Sequence, residues 1–162
     1  MTDLATLVLG PLDGRPDADW QRAPAGKWTP AQIVEHLALG LESSAARFIE
    51  RRARGPMVRR PRTLVERLAK LFIFGLRRFP PGLRAPEGAT PGPRVERAAA
   101  EGRFRRGLAL WEQVEREVLP ARPHDLFVKH PRMGDLTPGE WMEFHFIHAR
   151  HHARQIRARL AG

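Results

Sequence analysis

The feature that most constrains the fold of this chain is a helix-start sequence that occurs twice. Residues 29–32 read TPAQ and residues 137–140 read TPGE. In such a capping box the threonine hydroxyl and the glutamine or glutamate side chain each accept a bond from the other residue's backbone N–H, and proline fits the first helical position. Apolar residues at three- and four-residue steps follow both boxes, which predicts helices at about 30–53 and 138–160.

Two further segments between these helices also have helical spacing. Residues 61–79 read PRTLVERLAKLFIFGLRRF, and residues 93–119 read PRVERAAAEGRFRRGLALWEQVEREVL. Gly102 and Gly107 weaken the second prediction because glycine lowers helix propensity. The apolar stripes consist of Leu64, Leu68, Leu71, Phe72, Gly75 and Phe79 in the first segment and Val95, Ala98, Phe104, Leu108, Trp111, Val114 and Val118 in the second.

The rest of the chain reads as connections. A Pro/Gly-rich loop at 80–93 separates the two middle segments, a second loop at 120–135 leads into the last helix, and a short apolar helix is expected at about 3–9. No segment shows the sustained alternation of a β-strand. We therefore predict an all-α chain, with one domain over residues 1–162 that forms a four-helix bundle with an extra connecting helix.

Cysteine usage and hydropathy point to a compartment. The 162 residues contain no cysteine, which excludes disulfides and thiolate metal sites and fits a reducing cytoplasm. The start of the chain lacks the basic segment of a secretory signal. No apolar run approaches the ~20 residues that a membrane-spanning helix needs. We expect a cytoplasmic protein.

The charge distribution bears on partners. The net charge is +10 and comes mostly from arginines that are spread from Arg15 to Arg159. They do not form one block, and aromatic residues are not interleaved with them as in a base-stacking surface. This pattern argues against nucleic acid as a partner, although a basic nucleic-acid or membrane-surface binder is kept as the third hypothesis.

The segment KLFIFGLRR, residues 70–78, is apolar almost all round between its charged ends, so it must be buried somewhere. Its basic flanks Lys70, Arg77 and Arg78 would also suit an amphipathic helix at a membrane surface. We favour bundle core or a contact between two copies of the chain, and expect a homodimer without membrane association.

Four of the seven histidines lie in HFIHARHHARQ, residues 145–155. On an ideal helix, at about 100° per residue, His148 and His152 fall inside the apolar face, His145 at its margin and His151 further off. Two histidines four residues apart can reach one divalent ion. The alternative is a polar pair bonded to neighbouring side chains; His145 and His151 are expected to be solvated or to support the ligands.

A third ligand should come from another helix. His36 lies on the predicted helix at 30–53, close to its Thr29 cap. Gly40 and Ser44 on the same helix are small and would let a neighbour approach. The loop histidines, His124 and His130, could line a pocket mouth. Other expectations are that Glu35 faces water, that Gln155 orients a ligand or is a surface residue, and that Trp28, Trp111 and Trp141 are core residues.

Two stretches resemble a known family. KWTPAQIVEHLA, residues 27–38, is similar to the second-helix signature of the DinB-like superfamily, and LTPGEWMEFHFIHARHHARQI, residues 136–156, is similar to its last helix. The longer stretch from Lys129 to Gln155 is especially similar to one uncharacterised branch. The direct resemblance covers about forty residues, and the number of predicted helices agrees with the family over the rest of the chain.

The resemblance implies a four-helix bundle that holds a divalent metal with three histidines. Matched residue by residue, His36 is the second-helix ligand and His148 and His152 are the last-helix pair. The superfamily includes transferases and isomerases that use low-molecular-weight thiols, alongside many members without a known activity. The short first helix, interrupted by Pro11 and Gly14, departs from the pattern.

These observations support a metal-binding protein as the first hypothesis. Three neutral imidazoles on a divalent ion leave positions open for water or a thiolate, so a metal-dependent thiol transferase or hydrolase is expected, with a small-molecule thiol as a possible substrate. All-nitrogen ligation allows zinc, nickel, iron or manganese. The second hypothesis is a non-enzymatic metal- or ligand-binding bundle related to stress. The sequence identifies no general base.

Overall fold

The computed structural model describes residues 2–80 and 82–161, and it is mostly helical. In chain order the elements are α1 (Thr2–Leu9) with a 3-10 turn (Gly10–Leu12), α2 (Asp17–Trp20), α3 (Pro30–Arg51), α4 (Leu64–Lys70) with a π turn (Leu71–Gly75), a 3-10 turn (Glu87–Ala89), α5 (Arg97–Gln113) with a π turn (Val114–Val118), β1 (Val128–His130), β2 (Gly134–Leu136) and α6 (Pro138–Leu160). Helices α1, α3, α5 and α6 pack together as the bundle. The predicted all-α bundle with a connecting helix, α4, is confirmed.

Threonine caps set the starts of the helices that matter for function. At α3 the Thr29 N–H donates to Gln32 Oε1 over 3.0 Å, and the Gln32 N–H donates to Thr29 Oγ1 over 3.2 Å. The same box opens α6 at Thr137 and Glu140. Both predicted helix starts are therefore confirmed, and α3 ends two residues earlier than expected, at Arg51. Thr63 and Glu66 form a third box at α4.

Helix α5 lies very close to α3. A Cβ placed on Gly107 would stand 2.9 Å from Leu41 Cβ and 3.5 Å from the Ala38 carbonyl oxygen, so only glycine permits this approach. The buried apolar residues of α5 and its π turn include Phe104, Leu108, Trp111, Val114 and Val118, as predicted. Ala98 is exposed and Ala100 is buried instead.

The orientation of α4 contradicts its expected place in the bundle core. Its leucines face outward, with Leu64 71 % and Leu68 58 % exposed. Its inward face includes Lys70, whose Nζ donates to Glu140 Oε1 over 2.5 Å, and Ala69, which packs against the core. Ile73, in the π turn that follows, is buried. The apolar periodicity predicts the helix but not its orientation, because the side that faces α6 carries the Lys70–Glu140 ion pair instead of the leucines.

A small β-hairpin precedes α6, which the sequence reading did not predict. β1 and β2 pair antiparallel with Val128 opposite Leu136 and His130 opposite Gly134. Gly134 has φ +73°, a conformation that glycine adopts at little cost. Each strand has three residues, too few for alternation to be recognised.

The hairpin holds the extended segment before α4. Asp135 accepts bonds from the backbone N–H of Arg60 over 3.1 Å and from its guanidinium. Arg62 Nε donates to the Met133 carbonyl over 2.8 Å. These bonds fix the path of the chain from α3 to α4.

Across the described ranges, none of the helices is long and apolar enough to cross a membrane.

Candidate metal centre

Three imidazoles from two helices meet at one point near the surface of the bundle. His36 of α3 and His148 of α6 bring their Nε2 atoms to 3.1 Å, and His148 and His152 do the same over 3.1 Å. All three residues offer ligand atoms within 4.8 Å of one another. Two nitrogens that bind one ion at 2.0–2.1 Å lie about 2.8–3.4 Å apart for angles from octahedral to tetrahedral. The spacing is therefore that of ligands to a shared ion.

The outer ring nitrogens of two of these histidines are already held. His36 Nδ1 lies 2.6 Å from the Ala89 carbonyl oxygen. A carbonyl only accepts, so Nδ1 carries the hydrogen and Nε2 of the neutral ring has a free lone pair. His152 Nδ1 lies 2.9 Å from Gln155 Oε1 and is fixed in the same way. Metal-bound histidines usually show such a bond on the other nitrogen.

No arrangement of protons satisfies the three Nε2 atoms. Those of His36 and His152 both point lone pairs at His148, whose Nε2 can carry one hydrogen and so can serve one of its two 3.1 Å contacts. A cation at the centre would satisfy all three. The chemistry of this donor set therefore fits a divalent ion and fits a purely hydrogen-bonded cluster poorly.

Burial keeps these imidazoles neutral. It lowers the pKa of His36, and it lowers the pKa of His148 well below 6.5. Burial, followed by the neighbouring His36 and His151, lowers the pKa of His152 to about 3. Neutral imidazole is the form that binds metal, so the site is ready to accept an ion at pH 7 without losing protons.

The Pro/Gly-rich loop reaches His36 because α3 holds it. Gln32 Nε2 donates to the Gly92 carbonyl over 2.9 Å, and Glu35 Oε2 accepts from the Gly92 N–H over 2.9 Å. These bonds place the Ala89 carbonyl against the His36 ring. Glu35 also accepts from Arg103 over 3.1 Å, so the expectation that Glu35 faces water is wrong: it anchors the loop.

Aromatic rings form the walls of the site. Trp28 packs 4.9 Å from the His36 ring, and Phe79 and Phe144 pack 5.0 Å and 5.2 Å from the His148 ring, centroid to centroid. Trp28 and Phe79 are partly exposed. Trp28 therefore lines the site at the edge of the core, whereas the sequence predicted it inside the core. His148 also keeps part of its surface accessible, which leaves an approach to the cluster.

The remaining histidines lie outside the cluster. His145 is buried, and its Nε2 bonds Ser44 Oγ over 2.9 Å, so the expectation of a solvated ring is wrong. Ser44 Oγ in turn donates to the Gly40 carbonyl over 2.7 Å, which leaves His145 as the donor. This contact, formed through the small residues of α3, joins α3 to α6.

The other three histidines differ in role. His130 is buried in the hairpin, where its Nδ1 accepts from the Arg132 N–H over 3.1 Å, so it does not line a pocket mouth. His124 is exposed. His151 Nε2 accepts from Gln155 Nε2 over 3.0 Å. Gln155 thus bridges His151 and His152, which agrees with the expected role in orienting a ligand.

Helical spacing identified His148 and His152, and the position after the α3 cap, together with the family resemblance, identified His36. None of these signals revealed the groups around the three imidazoles. The Ala89 carbonyl and Phe79 lie in irregular segments whose path depends on tertiary contacts. The capping-box bonds of Gln32 with Thr29 were predicted from the sequence. The spacing of residues did not predict its additional bond to the Gly92 carbonyl.

Comparison with known proteins identifies one family. The family model described as the DinB superfamily matches residues 3–156, which includes both helices that carry the three histidines. No curated protein and no solved structure matches the chain significantly. The match spans nearly all of the bundle, including the short α1.

Proposed function

We propose, since the chain belongs to the DinB superfamily, that His36, His148 and His152 hold one divalent metal ion and that the protein is a metal-dependent transferase that uses a low-molecular-weight thiol. The observation that carries the proposal is the convergence of three Nε2 atoms whose lone pairs cannot all be satisfied by hydrogens. Three imidazole nitrogens allow zinc, nickel, iron or manganese.

The protein's own groups prepare this site before any ligand arrives. The Ala89 carbonyl and the Gln155 amide fix the tautomers of His36 and His152, so that both present Nε2 lone pairs inward. Because the ligand positions are held by hydrogen bonds, little ordering remains to be done on binding. The rings of Trp28 and Phe79 limit the access of water to the centre.

The neutrality of the ligands suits thiol chemistry. A divalent ion held by three neutral imidazoles keeps its full positive charge and, when bound, stabilises a thiolate or a hydroxide at neutral pH. The partly accessible His148 provides a side from which a substrate can approach. We place the reaction in the cytoplasm, where thiols are kept reduced.

Metal content tests the first part of the proposal. Protein purified without a histidine tag and loaded with zinc should contain one ion per chain, and His36→Ala and His152→Ala should each abolish stoichiometric binding. His124→Ala is the matched control, because His124 is exposed and lies outside the cluster. Retention of a full equivalent of metal by His152→Ala would contradict the assignment.

Thiol binding tests the second part. Addition of a small thiol to cobalt(II)-loaded protein should produce a sulfur-to-cobalt charge-transfer band that His152→Ala, mixed with equal cobalt, does not reproduce. A bound metal whose spectrum is unaffected by thiols would favour a hydrolase that activates water, or a non-enzymatic metal-binding bundle.

We also propose that the protein is a homodimer formed through the outward face of α4. Leu64, Leu68 and Leu71 follow the four- and three-residue steps of a helix-pairing seam. The exposed apolar residues of this face are Leu64, Val65, Leu68, Leu71, Phe72 and Leu76. Each side chain has about 100 Å² of apolar surface and is 36–74 % exposed, so together they present roughly 400 Å², about half of what one subunit buries in a standard interface.

A further inference from the structure

A basic depression adjoins the three-histidine cluster, and its arginines have no part in the function proposed so far. Its volume is about 160 Å³. The lining residues are Arg77, Arg78, Phe79, Arg150, His151 and Arg154. Phe79 connects it to the cluster, since its ring packs 5.0 Å from the His148 ring and 5.3 Å from the His151 ring.

The positive charge of this depression is poorly compensated. Arg77 Nη1 donates to Glu143 Oε1 over 2.8 Å, so one carboxylate faces four guanidinium groups. Within residues 2–80 and 82–161, the guanidinium groups of Arg78 and Arg154 take part in no hydrogen bond and no ion pair. Like charges brought together without partners raise the energy of the folded chain. An anion would relieve this repulsion.

The backbone at this place is held in an unfavourable conformation. Arg77 has φ +50°, the one non-glycine residue with positive φ in the described ranges. Such a conformation costs about 1 kcal/mol or more for an L residue with a side chain. Arg150 Nη2 donates to the Arg77 carbonyl over 3.1 Å and so stabilises the turn. The turn directs residues 77–79 along the side of α6 that carries the metal ligands.

We propose that this depression is a subsite for an anionic group, a phosphate or a carboxylate, on the substrate whose reacting end lies at the three histidines. Guanidinium groups bind both anions with paired N–H donors. At about 30 Å³ per water, the space holds roughly five waters, enough for one such group but not for a whole substrate. The neighbouring Phe79 ring would pack against the part of the substrate between its two ends.

The inference rests on the proposed function for its second half, because it places the reacting end of the substrate at the metal centre. The anion subsite itself depends only on the arginines. The two can therefore fail separately, provided that anion binding is measured both with and without metal.

The test uses the full chain and two simple probes, inorganic phosphate and acetate, titrated by calorimetry at constant ionic strength. The variant Arg78→Gln with Arg154→Gln removes two guanidiniums that make no internal bonds, so the fold should be retained. The control is Arg47→Gln with Arg116→Gln, which removes the same net charge from exposed arginines elsewhere. Each protein is measured after treatment with chelator and after loading with zinc.

We expect the wild-type chain to bind one of the two probes in the absence of metal, and whichever binds more tightly identifies the class of anion. Each lost guanidinium should weaken binding roughly tenfold, because a charge-assisted hydrogen bond contributes about 1.5 kcal/mol or more. The control should bind as the wild type does. Absence of binding by the wild type, or equal weakening in both double variants, would overturn the subsite.

The metal content of the same samples separates the two proposals. If the chain binds the anion through Arg78 and Arg154 but takes up no metal, the subsite stands and the proposed function is wrong. If metal binds stoichiometrically and the anion titration is unaffected by the two substitutions, the subsite is wrong and the metal centre stands. Tight binding of duplex RNA or DNA that depends on the same two arginines would replace a small substrate with a nucleic-acid phosphate and also overturn it.

Discussion

The two glycines of α5 allow a sharp test of how the bundle is packed, because the same substitution should have opposite effects at the two positions. Gly102→Ala and Gly107→Ala both gain helix propensity, about 1 kcal/mol relative to glycine. At Gly102 the new Cβ would meet only Arg106 Nη1, at 3.6 Å. That atom ends a long flexible side chain and can move at little cost.

At Gly107 the new methyl group meets the fixed part of α3. It would stand 2.9 Å from Leu41 Cβ, whereas unbonded carbons pack at about 3.5–4.0 Å. Leu41 Cβ is attached directly to the backbone, so relief requires α3 and α5 to separate. Overpacking costs about 1–3 kcal/mol. Because no side-chain rotation can move Leu41 Cβ away, the upper part of this range applies, about 2–3 kcal/mol, which exceeds the gain in propensity. The net loss in the free energy of unfolding is about 1–2 kcal/mol.

Thermal unfolding followed by circular dichroism in the presence of chelator measures both effects. For a chain of this length, 1 kcal/mol corresponds to about 2–4 °C in Tm. Gly107→Ala should therefore lower Tm by about 2–8 °C, and Gly102→Ala should raise it by about 1–4 °C. If both variants are stabilised to the same degree, the close approach of α5 to α3 at Leu41 is wrong.

The remaining predictions concern a buried histidine, a residue that supports the site, and the oligomeric state. Burial lowers the pKa of His145 from 6.5 to about 3, so below pH 6.5 the unfolded chain binds a proton that the folded chain does not. As the pH falls from 6.5 to 3, this difference lowers the free energy of unfolding by about 1.4 kcal/mol per pH unit. In urea unfolding, His145→Gln should reduce the pH dependence of the free energy of unfolding by that amount, and an unchanged pH dependence would refute the burial argument. Gln155→Leu removes the acceptor for His152 Nδ1–H and should weaken zinc binding about 10–100-fold in competition with a chelating dye, whereas unchanged affinity would show that this bond does not matter. Sedimentation at tens of micromolar should show a dimer for the wild type and a monomer for Leu68→Glu, since a charge at the centre of the apolar face opposes pairing; a monomeric wild type would end the proposal.

The helices whose signals are local could be predicted from the sequence. The caps at Thr29 and Thr137 involve residues three apart, so they mark the helix starts whatever the rest of the chain does. The pair His148 and His152 follows from helix geometry alone, as four residues make about one turn. These parts of the fold and of the site depend on short-range spacing, and spacing is visible in a sequence.

The parts that were missed depend on contacts between distant residues. Periodicity predicts that residues 64–75 form a helix, but its leucines face outward, and the inward side carries Lys70, which bonds Glu140, and the buried Ile73. Ser44 makes His145 a buried donor, although the helical wheel placed it at the margin of the apolar face. The Ala89 carbonyl reaches His36 through a loop whose path α3 determines. None of these partners lies within a helical turn of the residue that it controls.

The central claim is that His36, His148 and His152 share one divalent ion, and X-ray absorption spectroscopy of the zinc-loaded protein tests it most directly. The number of imidazole ligands can be read from the scattering of their ring atoms. We predict three imidazole nitrogens at about 2.0–2.1 Å from zinc, with water or another light atom completing the shell. A shell with fewer than three imidazoles in the wild-type protein, or one that keeps three in His36→Ala, would contradict the claim.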